Sequence, residues 1–173
     1  MLQWMARAAV GALGAVAVLS AGGCGARNID GHSAADQIGA SLAARYGGPA
    51  PHVSCPAKVP AKLGQRFNCT TALDGQPLEV TVTVTTTSGD IRPALDAAVV
   101  VVADADKTLA AGVGRQLGEL ATVSCDSGHR LLVEVPGQSF TCTAHVGTTN
   151  RALHVKVTDT SGRVTYTLAP PVG

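Results

Sequence analysis

Along residues 77–87, PLEVTVTVTTT, apolar and polar positions alternate. Leu78, Val80, Val82 and Val84 fall on one face, and Glu79, Thr81, Thr83 and Thr85 on the other. A period of two predicts a strand with one buried face and one wet face. The same pattern returns further on, with Leu153, Val155 and Val157 set against His154, Lys156 and Thr158. Asp74-Gly75 marks a hairpin ahead of the first strand. Ser161-Gly162 turns into RVTYTL, which points Val164, Tyr166 and Leu168 one way. Upstream of each strand region the period lengthens. In SAADQIGASLAARY, Ile38, Leu42 and Tyr46 share a helical face, with Ser33 as the expected cap and Asp36 completing a capping-box-like start. In DADKTLAAGVGRQLGEL, Leu109, Val113, Leu117 and Leu120 follow a cap expected at Asp104 or Asp106, although Gly112, Gly114 and Gly118 weaken the helix.

The two regions repeat one another. VSC stands at 53–55 and 123–125, FNCT at 67–70 answers FTCT at 140–143, and TTTSGDI at 85–91 answers TDTSGRV at 158–164. The offsets are 70, 73 and 73 residues, in the same order. The expected organisation is a signal segment at 1–23, a tether at 24–32, a first module at 33–93, a connecting strand or linker at 94–103, a second module at 104–169 and a tail at 170–173. The expected fold is α+β: two tandem modules, each one helix packed on a three- to four-stranded antiparallel sheet. In the connection AAVVVVAD, 97–104, the run Val99 to Val102 is too apolar for an exposed linker. It reads as a buried strand that ends the first module or bridges the two; the other reading is a contact surface for a partner.

The N-terminus changes the picture of where the chain works. MLQWMAR carries one positive charge, Arg7, and is followed by the apolar run 8–20 and then by Ala21, Gly22, Gly23 and Cys24. A charged start, an apolar centre and a small-residue site are the parts of a secretory signal peptide, and the apolar run is short for a membrane span of about 20 residues. Small residues leading into a Cys resemble the bacterial lipobox, with Ala21 where Leu is usual. Cys24 is therefore the expected lipidation site, anchoring the chain to the extracytoplasmic face of the plasma membrane. Without Arg7, 12 of the 13 basic residues remain against 12 acidic ones. That neutral balance lacks the electrostatic footprint of a nucleic-acid binder. The aromatic residues left after Trp4 are Tyr46, Phe67, Phe140 and Tyr166, too few for a stacking platform.

Four cysteines remain after Cys24, two per module at equivalent places: Cys55, Cys69, Cys125 and Cys142. In an exported chain they are expected to form disulfides. The repeat favours Cys55–Cys69 and Cys125–Cys142 among the three possible connectivities, because each module then closes itself. A loop of about 15 residues closed this way contributes roughly 3 kcal/mol, a large share for a module of about 60 residues. Zinc or redox chemistry would favour CxxC spacing, which is absent from the sequence. Phe67 and Phe140 each stand two residues before the second Cys of a pair and are expected to pack beside the bridge.

The run from Val53 through Cys55, Pro56, Val59, Pro60, Lys62, Gly64 and Phe67 to Cys69, followed by the Asp74-Gly75 hairpin and the strand from Val80, resembles the domain of unknown function 4333. The second copy keeps Val123, Cys125, Pro136, Gly137, Phe140 and Cys142. It differs in having Asp126 in place of Pro and three extra residues between its cysteines. The resemblance implies an exported paired-Cys module of a kind found in secreted proteins and lipoproteins of actinobacteria. It implies no catalytic residues.

Motifs for chemistry are sparse. GVGRQLG, 112–118, has the wrong spacing and context for a dinucleotide fingerprint, and His32, His52, His129, His145 and His154 are scattered. No cofactor or metal is expected. The leading expectation is a non-enzymatic cell-envelope lipoprotein acting as a binding module, its partners the lipid anchor and an unknown envelope protein or component. The alternative is an inhibitor or regulator of an exported enzyme, presenting the loop between Cys55 and Cys69 with Lys58, Lys62 and Arg66 as contacts. Least supported is an enzyme whose site gathers His and carboxylates from both modules.

Overall fold

The computed structural model describes residues 27–125 and 128–170. The signal segment and Cys24 lie outside them. The first half runs β1 (Asn28–Asp30), α1 (Gly31–Tyr46), β2 (Val53–Ser54), β3 (Lys58–Pro60), β4 (Arg66–Leu73), β5 (Gln76–Val84) and β6 (Ile91–Leu95). The second half repeats this order as β7 (Ala98–Val101), α2 (Val102–Leu117), β8 (Ala121–Ser124), β9 (Leu131–Glu134), β10 (Ser139–Val146), β11 (Thr149–Val157) and β12 (Val164–Leu168). Each half builds a four-stranded antiparallel sheet, β2-β4-β5-β6 or β8-β10-β11-β12, and a two-stranded antiparallel ribbon, β1-β3 or β7-β9. The α+β reading holds, with a helix, a sheet and a disulfide in each half. The ribbons are an addition.

The cores follow the alternation. Leu78, Val80, Val82 and Val84 are buried beneath Ile38 and Leu42 of α1. Leu153, Val155 and Val157 are buried as well, and Leu153 and Val155 share a core with Leu109 and Val113 of α2. Each such buried aliphatic side chain contributes about 1.5–3 kcal/mol. Phe67 is buried with Cys69, and Phe140 is half-buried against the core that holds Cys142.

Several boundaries differ from expectation. Helix α1 is capped by Asp30, whose carboxylate accepts from the N–H groups of His32 and Ser33 at 2.8 and 3.4 Å; Ser33 lies inside the first turn. Residues 28–32, expected as tether, are strand and helix. Helix α2 begins at Val102, and its N-cap Val101 makes no side-chain cap bond. The Val102 N–H donates to Arg130 O at 3.0 Å, so the ribbon satisfies the first donor of the helix. Gly31 N–H donates to Ala57 O in the same way in the first module. Asp104 instead lies in the first turn of α2, 3.9 Å from Lys107 Nζ. Asp106 accepts from the Cys125 N–H at 2.9 Å, tying the helix to the bridged strand. Leu120 does not join the helix face; it lies past Gly118, the left-handed C-cap, and is 97% exposed. The span 94–103, expected as a connecting strand or linker, contains the end of β6, all of β7 and the start of α2.

The run Val99 to Val102 is largely a buried strand, and its two faces serve different cores. Val99 and Val101 pack with Leu131 and Val133 into the first module, while Val100 and Val102 pack with Leu132 into the second. The β7–β9 ribbon is therefore shared, apolar on both sides. Its counterpart β1–β3 is apolar on one side only. Ile29 and Val59 point into the first core, whereas Asn28, Asp30, Lys58 and Pro60 are exposed. By register, Asn28↔Pro60 and Asp30↔Lys58 occupy the places of Val99↔Val133 and Val101↔Leu131. The outer face of β1–β3 is thus polar where the equivalent face of β7–β9 is apolar.

Candidate functional site: the stapled segment and the module junction

The segment closed by Cys55–Cys69 is ordered along its length. Its first part forms β3, and a tight turn then leads into β4. In that turn the Gly64 N–H donates to Val84 O at 2.9 Å and the Gln65 N–H to Lys62 O at 2.9 Å. Gly64 has φ +79°, a left-handed conformation that glycine adopts without strain. The second module repeats these bonds, with Gly137 N–H donating to Val157 O and Gln138 N–H to Val135 O. Lys58, Lys62 and Arg66 are all exposed. They divide between two places: Lys58 stands on the outer face of the ribbon, opposite Asp30, while Lys62 and Arg66 flank the turn. Between them Leu63 is 71% exposed, a large apolar side chain at a rigid turn. The pairing Cys125–Cys142 closes the matching segment of the second module.

The junction between modules holds the polar groups with the most specific engagement. In β9, Leu131 and Val133 turn their peptide groups away from β7, toward the first module. The Asp74 carboxylate accepts from the N–H groups of Arg130 and Leu131 at 2.6 and 3.0 Å. The Gln76 side chain donates to Leu131 O at 2.6 Å and accepts from the Val133 N–H at 3.1 Å, doing for this edge what a neighbouring strand would do. The Arg130 guanidinium donates to Tyr46 O at 2.6 Å and to Gly47 O at 3.2 Å, satisfying carbonyls at the end of α1. The N–H groups of Leu131 and Arg130, in that order, hold the Asp74 carboxyl below its ordinary value. Asp74 has φ +52°, as the tight hairpin with Gly75 requires.

None of Asp74, Gln76, Arg130 and Leu63 was singled out for such a role in the sequence. Asp74-Gly75 signals only a turn. The groups that its carboxylate binds lie 56 and 57 residues away, beyond any local pattern.

Two surface cavities bear on chemistry. A cleft of about 410 Å³ runs along the junction, lined by Thr71, Pro77, Glu79, Asp96 and Val135 among others. Both carboxylates come from the first module, Asp96 accepts from the Thr81 hydroxyl at 3.0 and 3.1 Å, and no histidine lines the cleft. A groove of about 430 Å³ beside α1 carries His32, Asp36 and His52. Among the described residues, no three His, Cys, Asp or Glu side chains gather closely enough to hold a metal ion. Nor is any described helix long and apolar enough to cross a membrane.

With this geometry in view, the comparisons separate the two halves. Residues 13–89 match the family model described as Domain of unknown function (DUF4333). The match takes in β1 through β5 and the first disulfide, and it stops before the second module. The likeness of the second module to the first rests on their common element order, strand registers and disulfide positions. No curated protein and no solved structure matched the chain.

Proposed function

We propose that this chain is an exported cell-envelope lipoprotein, anchored through Cys24 to the extracytoplasmic face of the plasma membrane. Its two modules act together as a rigid, non-enzymatic interaction scaffold for an envelope protein or other envelope component. The second module is a diverged copy of the first. The observation that carries this reading is the pair of module-autonomous disulfides, which suit an oxidising compartment. The signal-like residues 1–23 leading into Cys24 are consistent with it. The shared ribbon supports the scaffold part of the reading, because a surface spanning both modules keeps one shape when the modules cannot swing.

Intact mass and peptide mapping of the membrane-extracted protein test the proposal. The expected result is a chain beginning at Cys24 with a diacylglycerol-sized addition on that residue. A chain cleaved elsewhere, with an unmodified Cys24, would overturn the anchor. For the scaffold, cross-linking in intact envelopes should capture one reproducible partner through residues of both modules.

A further inference from the structure

We propose that the turn at Lys62, Leu63 and Gly64 docks into an anionic membrane surface, setting how the anchored protein stands on the bilayer. The inference rests on the lipoprotein reading and adds a site to it. Arg27 O accepts the Ala61 N–H at 2.7 Å, which fixes the incoming chain beside this turn. Only Gly25 and Ala26 separate Cys24 from Arg27, and the three Cα–Cα steps between them span no more than about 11 Å. A lipid on Cys24 therefore brings the turn to the headgroups. The turn is built for that surface. Leu63 projects from a turn whose backbone is held by the Gly64 and Gln65 hydrogen bonds; exposed Lys62 and Arg66 stand beside it in the chain, and exposed Arg27 is joined to Ala61 through its backbone. An exposed apolar side chain with cations on the adjoining backbone suits an interface of acyl chains beneath anionic headgroups. The nearby carboxylate, Asp90, accepts hydrogen bonds from the Thr86 and Ser88 hydroxyls at 2.8 and 3.2 Å. Gly89, in the same loop, lies against Ile29 and Ala61.

The mature chain has no tryptophan once Trp4 is removed, so one introduced indole reports its own position. The experiment compares Leu63→Trp with Leu120→Trp, a site 97% exposed on the second module. Each lipidated protein is reconstituted in phosphatidylcholine vesicles with or without phosphatidylglycerol, using brominated lipids as quenchers. The expected result is at least twofold stronger quenching at position 63 than at 120 in phosphatidylglycerol vesicles. Adding Lys62→Glu and Arg66→Glu should abolish that difference. Lipidated protein with equal quenching at both positions overturns the docking and leaves the anchor standing. Mass spectra showing no lipid on Cys24 overturn both.

Discussion

Leu131 and Leu132 are neighbours in the chain and lie in different hydrophobic cores. Leu131, 1% exposed, packs with the sheet of the first module, and Leu132, 7% exposed, packs with that of the second. Successive strand residues point to opposite faces, so a strand apolar at every position can close two cores at once. That single ribbon, more than any linker, makes the two modules one body.

Leu131→Ala should therefore injure the module to which it does not belong in sequence. Truncating a buried Leu costs about 2–5 kcal/mol. Hydrogen exchange read by peptide should show protection falling first in Arg66–Leu73 and Gln76–Val84. Leu132→Ala should shift the loss to Ser139–Val146 and Thr149–Val157. Identical exchange patterns for the two variants would contradict the division of the ribbon.

Acid should loosen the junction before it unfolds the modules. The Asp74 carboxyl titrates below its ordinary value because the N–H groups of Leu131 and Arg130 favour its charged form. A folded pKa below the unfolded one gives stabilisation that is complete above the unfolded value, about 4, and lost as pH falls through the folded value. Asp74→Asn removes this charge dependence. Scanned downward from pH 5, the wild type should lose protection at Arg130 and Leu131 progressively, while Asp74→Asn shows weaker, flatter protection there.

Gly31 opens α1 where the ribbon meets the helix. A Cβ placed there would stand 2.1 Å from Pro56 O, a backbone atom of the stapled segment. Gly31→Ala must push that segment away and strain the Gly31-to-Ala57 hydrogen bond. A cost of about 1–3 kcal/mol is expected from such overpacking, visible as a lowered urea midpoint. Gly64→Ala makes a useful contrast, since no atom lies within 4 Å and any cost there comes from its positive φ alone.

Much of this architecture was legible. The period-two rows at 78–84 and 153–157 give the central strands because one buried face leaves a strict alternation. The repeat places the disulfides. The strand at Val99 was legible from its apolar run, but the first ribbon was not: Asn28–Asp30 is three residues of mixed polarity, too short for any period. The caps were missed because both helices start directly from a ribbon strand: Asp30 caps α1 from the end of β1, and α2 follows Val101, which has no capping side chain. The junction was hidden since Asp74 and Gln76 meet partners more than 50 residues away. In the candidate segment, the sequence grouped Lys58 with Lys62 and Arg66. Lys58 has a structural account of its own, for it occupies in the first ribbon the register position that Leu131 holds in the second.

That equivalence leads to a prediction about self-association. In the first ribbon Asn28, Asp30, Lys58 and Pro60 stand where the second has Val99, Val101, Leu131 and Val133. Charges blunt an edge, and Pro60 has no N–H to offer a passing strand. At the other end of the molecule the docking groups are missing too. Gly147 and Thr149 occupy the hairpin positions of Asp74 and Gln76, so no carboxylate or amide is aimed at an incoming ribbon. Neither outer face thus offers the contacts that join the two halves. Lys58→Leu with Pro60→Val and Asn28→Val should restore a two-faced ribbon with nothing to cover it. Sedimentation velocity should then show concentration-dependent association beyond the wild type, suppressed when Lys58 alone is restored. The converse change, Leu131→Lys with Val99→Asn, should leave each sheet folded while the hydrogen bonds of Asp74 and Gln76 open, seen as fast exchange confined to Leu131–Glu134. Unchanged sedimentation in the first variant, or global unfolding in the second, would show that the polarity of the outer ribbon face does not govern this association.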